Sequence, residues 1–183
     1  LVPLNTRYRT EDINYVVSQS NTGTIISDDR SGPVDYLNML REVFPDTGRD
    51  SANKLQLEGF PDLRRIVFVG TEKLPGTLSW DEALSRSGEV SDAVLLERAG
   101  AVNPDGLALI GYTSGTTGNP KGVMHSHINI RNCMERAAIL GVTFTDTEIN
   151  YLPMFHLYGL CEVALICVVS GAKQVLMDVF DAH

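Results

Sequence analysis

The run Tyr112-Thr113-Ser114-Gly115-Thr116-Thr117-Gly118-Asn119-Pro120-Lys121-Gly122 constrains this chain more than any other segment. It follows the apolar stretch Leu107-Ala108-Leu109-Ile110 and precedes Val123-Met124-His125. Pro120 fixes its own φ and lacks an N–H, so a helix running through Lys121 is disfavoured. The spacing therefore predicts strand, loop, strand. Glycines at 115, 118 and 122 let the main chain turn and expose its amides. Consecutive amides in such a turn form an anion-binding concavity. The hydroxyls of Thr113, Ser114, Thr116 and Thr117 add donors, and Lys121 adds a mobile point charge suited to phosphate. Together these groups fit a polyphosphate tail.

The Walker loop is G-x-x-x-x-G-K-[ST]. Here Pro120 stands where its second glycine would be, and Gly122 replaces its metal-binding hydroxyl. A degenerate P-loop NTPase would also need a helix directly after Lys121. A non-catalytic nucleotide- or anion-binding module is the alternative from a different class. A Ser/Thr/Gly linker is the bland reading, but linkers rarely embed Pro-Lys-Gly between two apolar strands.

Elsewhere helix and strand signals alternate, which places the chain in the α/β class. Helices are expected from Thr10-Glu11-Asp12, from Ser31-Gly32-Pro33, over Trp80 to Leu84 behind the cap Ser79, over His127 to Leu140 behind Ser126, and over Tyr158 to Val169. Strands are expected at Leu1 to Leu4, Thr24 to Ser27, Ile66 to Val69, Ile149 to Met154 and Gln174 to Met177. Pro45 to Asn53 reads as a loop. Asn103-Pro104-Asp105-Gly106 reads as a turn dividing an upstream α/β portion from the chemically informative half.

The 183 residues carry 15 Lys+Arg against 23 Asp+Glu, a formal charge of −8. No basic run offers a nucleic-acid face. The most apolar stretch, Leu160 to Val169, contains Glu162 and falls well short of the ~20 residues a membrane span needs. Cys133, Cys161 and Cys167 form no disulfide framework, which suggests a reducing, cytoplasmic setting. They read as core filling. His125 and His127 would share one strand face, but no third ligand accompanies them at a zinc spacing. Asp28, Asp29 and Asp50 read as solvated loop charges, and Tyr112 as a buried strand aromatic.

The glycine-rich run resembles the phosphate-loop signature of the adenylate-forming superfamily, which includes acyl-CoA synthetases, firefly luciferase and the adenylation domains of peptide synthetases. Leu152-Pro153-Met154-Phe155-His156-Leu157-Tyr158-Gly159-Leu160 resembles the family's "P-[LM]-F-H-x-x-G" element, at the expected distance. Val2-Pro3-Leu4-Asn5-Thr6-Arg7-Tyr8 with Glu11, and Gly171-Ala172, are similar to flanking regions of acyl-CoA synthetases.

The resemblance implies a partial N-terminal region of such an enzyme, a mainly parallel sheet flanked by helices. Residues 1–145 would supply most of one α/β subdomain and 146–183 the start of a second. It implies ATP, CoA and a carboxylic acid as substrates, with Mg²⁺. Thr113, Ser114, Gly115, Thr116, Thr117, Gly118, Pro120, Lys121 and Gly122 would bind the ATP phosphates, and Thr117 would meet the metal. Phe155, His156 and Gly159 would border the acyl pocket, with His156 beside the carboxylate as the catalytic candidate. Members that activate amino acids tend to carry Asp at His156, because an α-ammonium needs a carboxylate to offset its desolvation. Phe155-His156 therefore suggests an acid with an apolar body, fatty or aromatic. The adenine, ribose and C-terminal elements of the family lie outside these residues. The chain is accordingly expected to be an inactive piece of a longer enzyme, with sheet edges open to self-association.

Overall fold

The structure, a computed structural model of the chain, describes residues 1–49, 54–113 and 118–177. The expectations for Asp50 and for Ser114 to Thr117 lie outside the described residues. The chain divides into two compact units, one of residues 8–101 and one of residues 1–7 with 102–183. The division falls directly before the turn at Asn103, where Gly106 N donates to Asn103 O at 2.9 Å and Asp105 N to Asn103 Oδ1 at 3.0 Å.

The unit of residues 8–101 is a small parallel sheet with helices. Its first helix, α1 (Thr10–Gln19), buries Ile13, Val16 and Val17, the i, i+3, i+4 face of an amphipathic helix. The Asp12 carboxylate accepts from Arg9 N at 2.9 Å, so capping runs through Asp12 and Arg9. Strand β1 (Thr24–Ser27) pairs in parallel with a later strand, Arg65–Phe68.

Between these two strands the expected helix start at Ser31 is corrected. Strands β2 (Arg30–Ser31) and β3 (Val34–Asp35) form a tight hairpin instead. Gly32 turns it at φ 55°, and the Arg30–Asp35 ion pair (2.9 Å) closes it. Helix α2 (Tyr36–Val43) begins only where the Asp35 carboxylate can accept from Asn38 N at 2.8 Å.

Strand β4 (Arg65–Phe68) also pairs in parallel with β5 (Leu78–Ser79). Ser79 then caps α3 (Trp80–Ser85). Its hydroxyl accepts from Glu82 N (3.2 Å) while the Glu82 carboxylate accepts from Ser79 N (2.7 Å). Helix α4 (Asp92–Gly100), unforeseen in the sequence, follows the cap Ser91 and buries no residue. The core holds Phe44, Phe60, Ile66 and Phe68. The Phe44 and Phe60 rings meet edge to face at 4.8 Å, an arrangement worth about 0.5–1.5 kcal/mol beyond burial.

Asp29 is also corrected. It accepts from Thr71 N (2.8 Å), Thr71 Oγ1 (3.1 Å) and Glu72 N (2.8 Å). It is a clamp between the loops after β1 and β4, not a solvated charge.

In the other unit, β6 (Leu107–Thr113) and β7 (Lys121–Ser126) form an antiparallel pair. This is the strand–loop–strand order that Pro120 requires. Leu1 O accepts from Ile110 N at 2.9 Å, yet residues 1–4 form no strand. Helix α5 (His127–Leu140) follows, although the Ser126 side chain makes no capping bond. His125 thus stands on a strand and His127 on a helix. Strand β8 (Thr147–Asn150) ends four residues before the predicted boundary at Met154 and pairs in parallel with β9 (Lys173–Leu176). The predicted helix over Tyr158 to Val169 is present. Its first part, Tyr158–Ala164, is π-helical and leads into α6 (Leu165–Ser170). It is only partly buried, with Tyr158 and Val168 exposed. Cys133, Ala137 and Ile166 form the core between α5 and α6. No helix among the described residues is long and apolar enough to cross a membrane.

Candidate active site

Thr113 and Lys121 are cross-strand partners, the last pair of the β6–β7 ladder before residues 114–120 connect the strands. The register brings the lysine back to the foot of the glycine-rich run, and its side chain is exposed there. Gly118 stands at φ 137°, a conformation that excludes side-chain-bearing residues on backbone grounds alone. Gly122 lies opposite Tyr112, and a Cβ there would approach Ile110 Cγ2 to 2.9 Å and Tyr112 Cζ to 3.2 Å. The Tyr112 ring, half-buried, packs over Gly122.

The second motif is held by a residue that sequence reasoning missed. Asn150, at the end of β8 and 2% exposed, donates from Nδ2 to Gly159 O at 3.2 Å and accepts at Oδ1 from Leu152 N at 3.1 Å. It joins the two ends of the loop that carries His156. Gly159 is buried where a Cβ would come within 2.6 Å of Pro153 O, so only glycine allows the loop to fold back so closely. The available signal was a lone amide in the otherwise apolar run Ile149 to Met154.

His156 is exposed and tied into this loop. Its N–H donates to Pro153 O (3.0 Å), and its carbonyl accepts from Leu160 N (3.0 Å). Its Nδ1 accepts from Tyr158 N at 3.3 Å. A ring nitrogen that accepts carries no proton in the neutral imidazole, so Nε2–H is the donor. That donor suits a carboxylate oxygen.

The second motif meets the strand that leads into the first. Leu157 packs on Gly111 of β6, where a Cβ would lie 3.2 Å from a Leu157 methyl. Beside this contact lies a cavity of about 440 Å³, bounded by Leu109 and His125 of the hairpin, by α5, and by His156, Tyr158, Cys161 and Glu162. That volume lies in the usual range for small-molecule sites. Phe155 is half-buried and does not line it, nor do Gly159, Thr113, Gly118, Pro120, Lys121 or Gly122. The π-helical start of the 158–170 segment forms one wall, and such turns recur at functional sites.

Arg136 of α5 pairs with Glu162 at 2.5 Å across the cavity edge. Cys133 and Cys161 hydrogen-bond each other, and burial raises both thiols above their usual value. Raised thiols are poor nucleophiles, which fits packing rather than chemistry. Among the described residues no cluster of three His, Cys, Asp or Glu could hold a metal.

A family profile described as AMP-binding enzyme matches residues 1–183. YngI of Bacillus subtilis, provisionally named an acyl-CoA synthetase, is 32% identical over 99% of this chain and 33% of its own length. A Rhodococcus jostii 3-[(3aS,4S,7aS)-7a-methyl-1,5-dioxo-octahydro-1H-inden-4-yl]propanoyl:CoA ligase is 33% identical over 99% of this chain and 33% of its own. The anthranilate CoA ligase AuaEII, solved with anthranoyl-AMP, superposes with a TM-score of 0.70 at 19% identity, over 98% of this chain and 30% of that one. The chain spans about a third of the length of the relatives it matches.

Proposed function

Because this chain belongs to the AMP-binding enzyme family, we propose that it is part of an ATP-dependent, AMP-forming acid–CoA ligase. The observation that supports the reading is a shared strand: the glycine-rich run leaves β6, and Leu157, next to His156, packs on Gly111 of that strand beside the cavity that His156 lines. In the first half-reaction the carboxylate attacks the α-phosphate of ATP, giving acyl-AMP and pyrophosphate. In the second, the CoA thiolate displaces AMP and a thioester forms. The run from Thr113 to Lys121, with Gly122, binds the β- and γ-phosphates and orients the leaving pyrophosphate, so fixed amides, hydroxyls and one ammonium supply the stabilisation. The Nε2–H of His156 holds one carboxylate oxygen, and Phe155 and Gly159 shape the loop that presents it. The hydroxyls of this run are hard oxygen donors of the kind Mg²⁺ accepts, and Thr117 would contribute one. The metal, when bound, neutralises phosphate charge.

The acid has a largely apolar body, fatty or aromatic, because no carboxylate lies between Tyr151 and Leu160 to meet an ammonium. Residues 1–145 form most of one family subdomain and 146–183 the start of the next. Free thiols at Cys133, Cys161 and Cys167 suit a cytoplasmic enzyme. The 183 residues alone do not turn over, since they represent about a third of the relatives' length. The test is acid-dependent pyrophosphate release by the full-length parent over a panel of carboxylic acids. No release with any acid contradicts the reading.

A further inference from the structure

Helix α5 turns one face to the cavity: Asn129, Asn132, Cys133 and Arg136 all line it, at the spacings of three, four and seven that share a helical stripe. Two of these four side chains are already engaged, since Cys133 contacts Cys161 and Arg136 pairs with Glu162. The carboxamides of Asn129 and Asn132 are exposed and have no protein hydrogen-bond partner among the described residues. Across the same space, His125 lines the cavity and its Nε2 is buried without a partner among the described residues. A ligand that covers an exposed, hydrated amide strips its water and must return the hydrogen bonds, so such groups select ligands that can satisfy them. An unbroken hydrocarbon would desolvate two amides and return nothing. A second carboxylate fares no better, because the guanidinium on this wall is already held by Glu162.

We infer that the acid seated here carries, remote from its carboxylate, an uncharged oxygen function, a ketone or a hydroxyl, that Asn129 and Asn132 hydrogen-bond. This rests on the reading that the cavity seats the acid beside His156, and it narrows that reading from an apolar body to an oxygenated one. Carboxamides suit the role because each offers both an acceptor and two donors, so either a carbonyl or a hydroxyl is served.

The test measures pyrophosphate release by the full-length parent with octanoic acid and cyclohexylpropanoic acid, their ketone and hydroxyl derivatives, and octanedioic acid. The best oxygenated acid is expected to exceed its hydrocarbon parent in kcat/KM by at least about tenfold. Asn129→Leu and Asn132→Leu, both on an exposed helical face, are expected to erase that advantage while circular dichroism shows the fold intact. Equal or better use of the hydrocarbon acids, or of the dicarboxylic acid, overturns the inference and leaves carboxylate activation standing. An advantage that survives both replacements overturns it too. If no acid releases pyrophosphate, the carboxylate-activation reading itself fails, and this inference with it.

Discussion

The side-chain amide of Asn150 donates to the carbonyl of Gly159 at 3.2 Å, closing the loop that carries His156 with a buried hydrogen bond. Replacing Asn150 with Ala leaves that carbonyl without its partner. The expected loss of stability is about 1–3 kcal/mol. In the full-length parent the same change is expected to raise KM for the acid several-fold and leave KM for ATP nearly unchanged. Thermal unfolding and steady-state kinetics read the two effects separately, and a uniform loss in both substrates would argue against a loop-positioning role.

Gly159→Ala probes the same loop from the other end. The added methyl would meet Pro153 O at 2.6 Å, a backbone atom that cannot rotate away. Overpacking of this kind costs about 1–3 kcal/mol. The acid KM is expected to rise, and an unaltered acid KM together with unaltered thermal stability would show that the loop tolerates the space.

Lys121 is exposed and paired by register with Thr113, so its replacement removes charge without opening a core. Lys121→Ala in the full-length parent is expected to lower adenylation by roughly 100-fold, the scale of one lost charge-stabilising group. Its unfolding temperature should stay unchanged. A variant that is both inactive and unstable would assign the lysine to folding instead.

Acid pH should loosen the unit of residues 8–101. The Glu72 N–H, helped by Thr71 and Asp28 and opposed by partial burial, holds the Asp29 carboxyl down at about 2. Lys73, together with the Ser79 N–H, holds Glu82 at about 2. Both folded values lie below the ordinary carboxylate range. Their contribution is therefore complete above that range and is lost as the pH falls through it toward about 2. Thermal unfolding from about pH 5 to pH 2 should show a falling midpoint, with a smaller fall in Asp29→Asn. An identical pH profile in that variant would remove Asp29 as a clamp.

Much of this was legible in the sequence because local rules agreed with the fold. Ser79 is the expected cap of α3, where Glu82 completes a capping box with it, and Pro120 disfavours a helix where a P-loop would start one. The run at Ser31-Gly32-Pro33 failed because a glycine at positive φ and an ion pair between Arg30 and Asp35, invisible to helix-start signals, make a hairpin first. Helix α4 buries nothing, so it lacks the apolar stripe that periodicity detects. Asp29 was misread because its partners lie 42 and 43 residues away. Asn150 was overlooked for a related reason: its partner at Gly159 faces it only once the loop closes.

The strands β8 and β9 leave Ile149, Val175 and Leu176 exposed. Two-stranded sheets are marginal alone, and open edges recruit further strands. The 183-residue chain in isolation is expected to self-associate, and sedimentation velocity over a concentration series would reveal it. A monomer throughout would show that these edges are inert.

The central claim is tested most directly by ATP–pyrophosphate exchange in the full-length parent, with and without carboxylic acid, for the wild type and for His156→Ala. The account predicts exchange that depends on the acid and is strongly reduced in the variant, with the loss residing in use of the acid and not of ATP. Exchange that proceeds without acid, or that is untouched by removing His156, would contradict it.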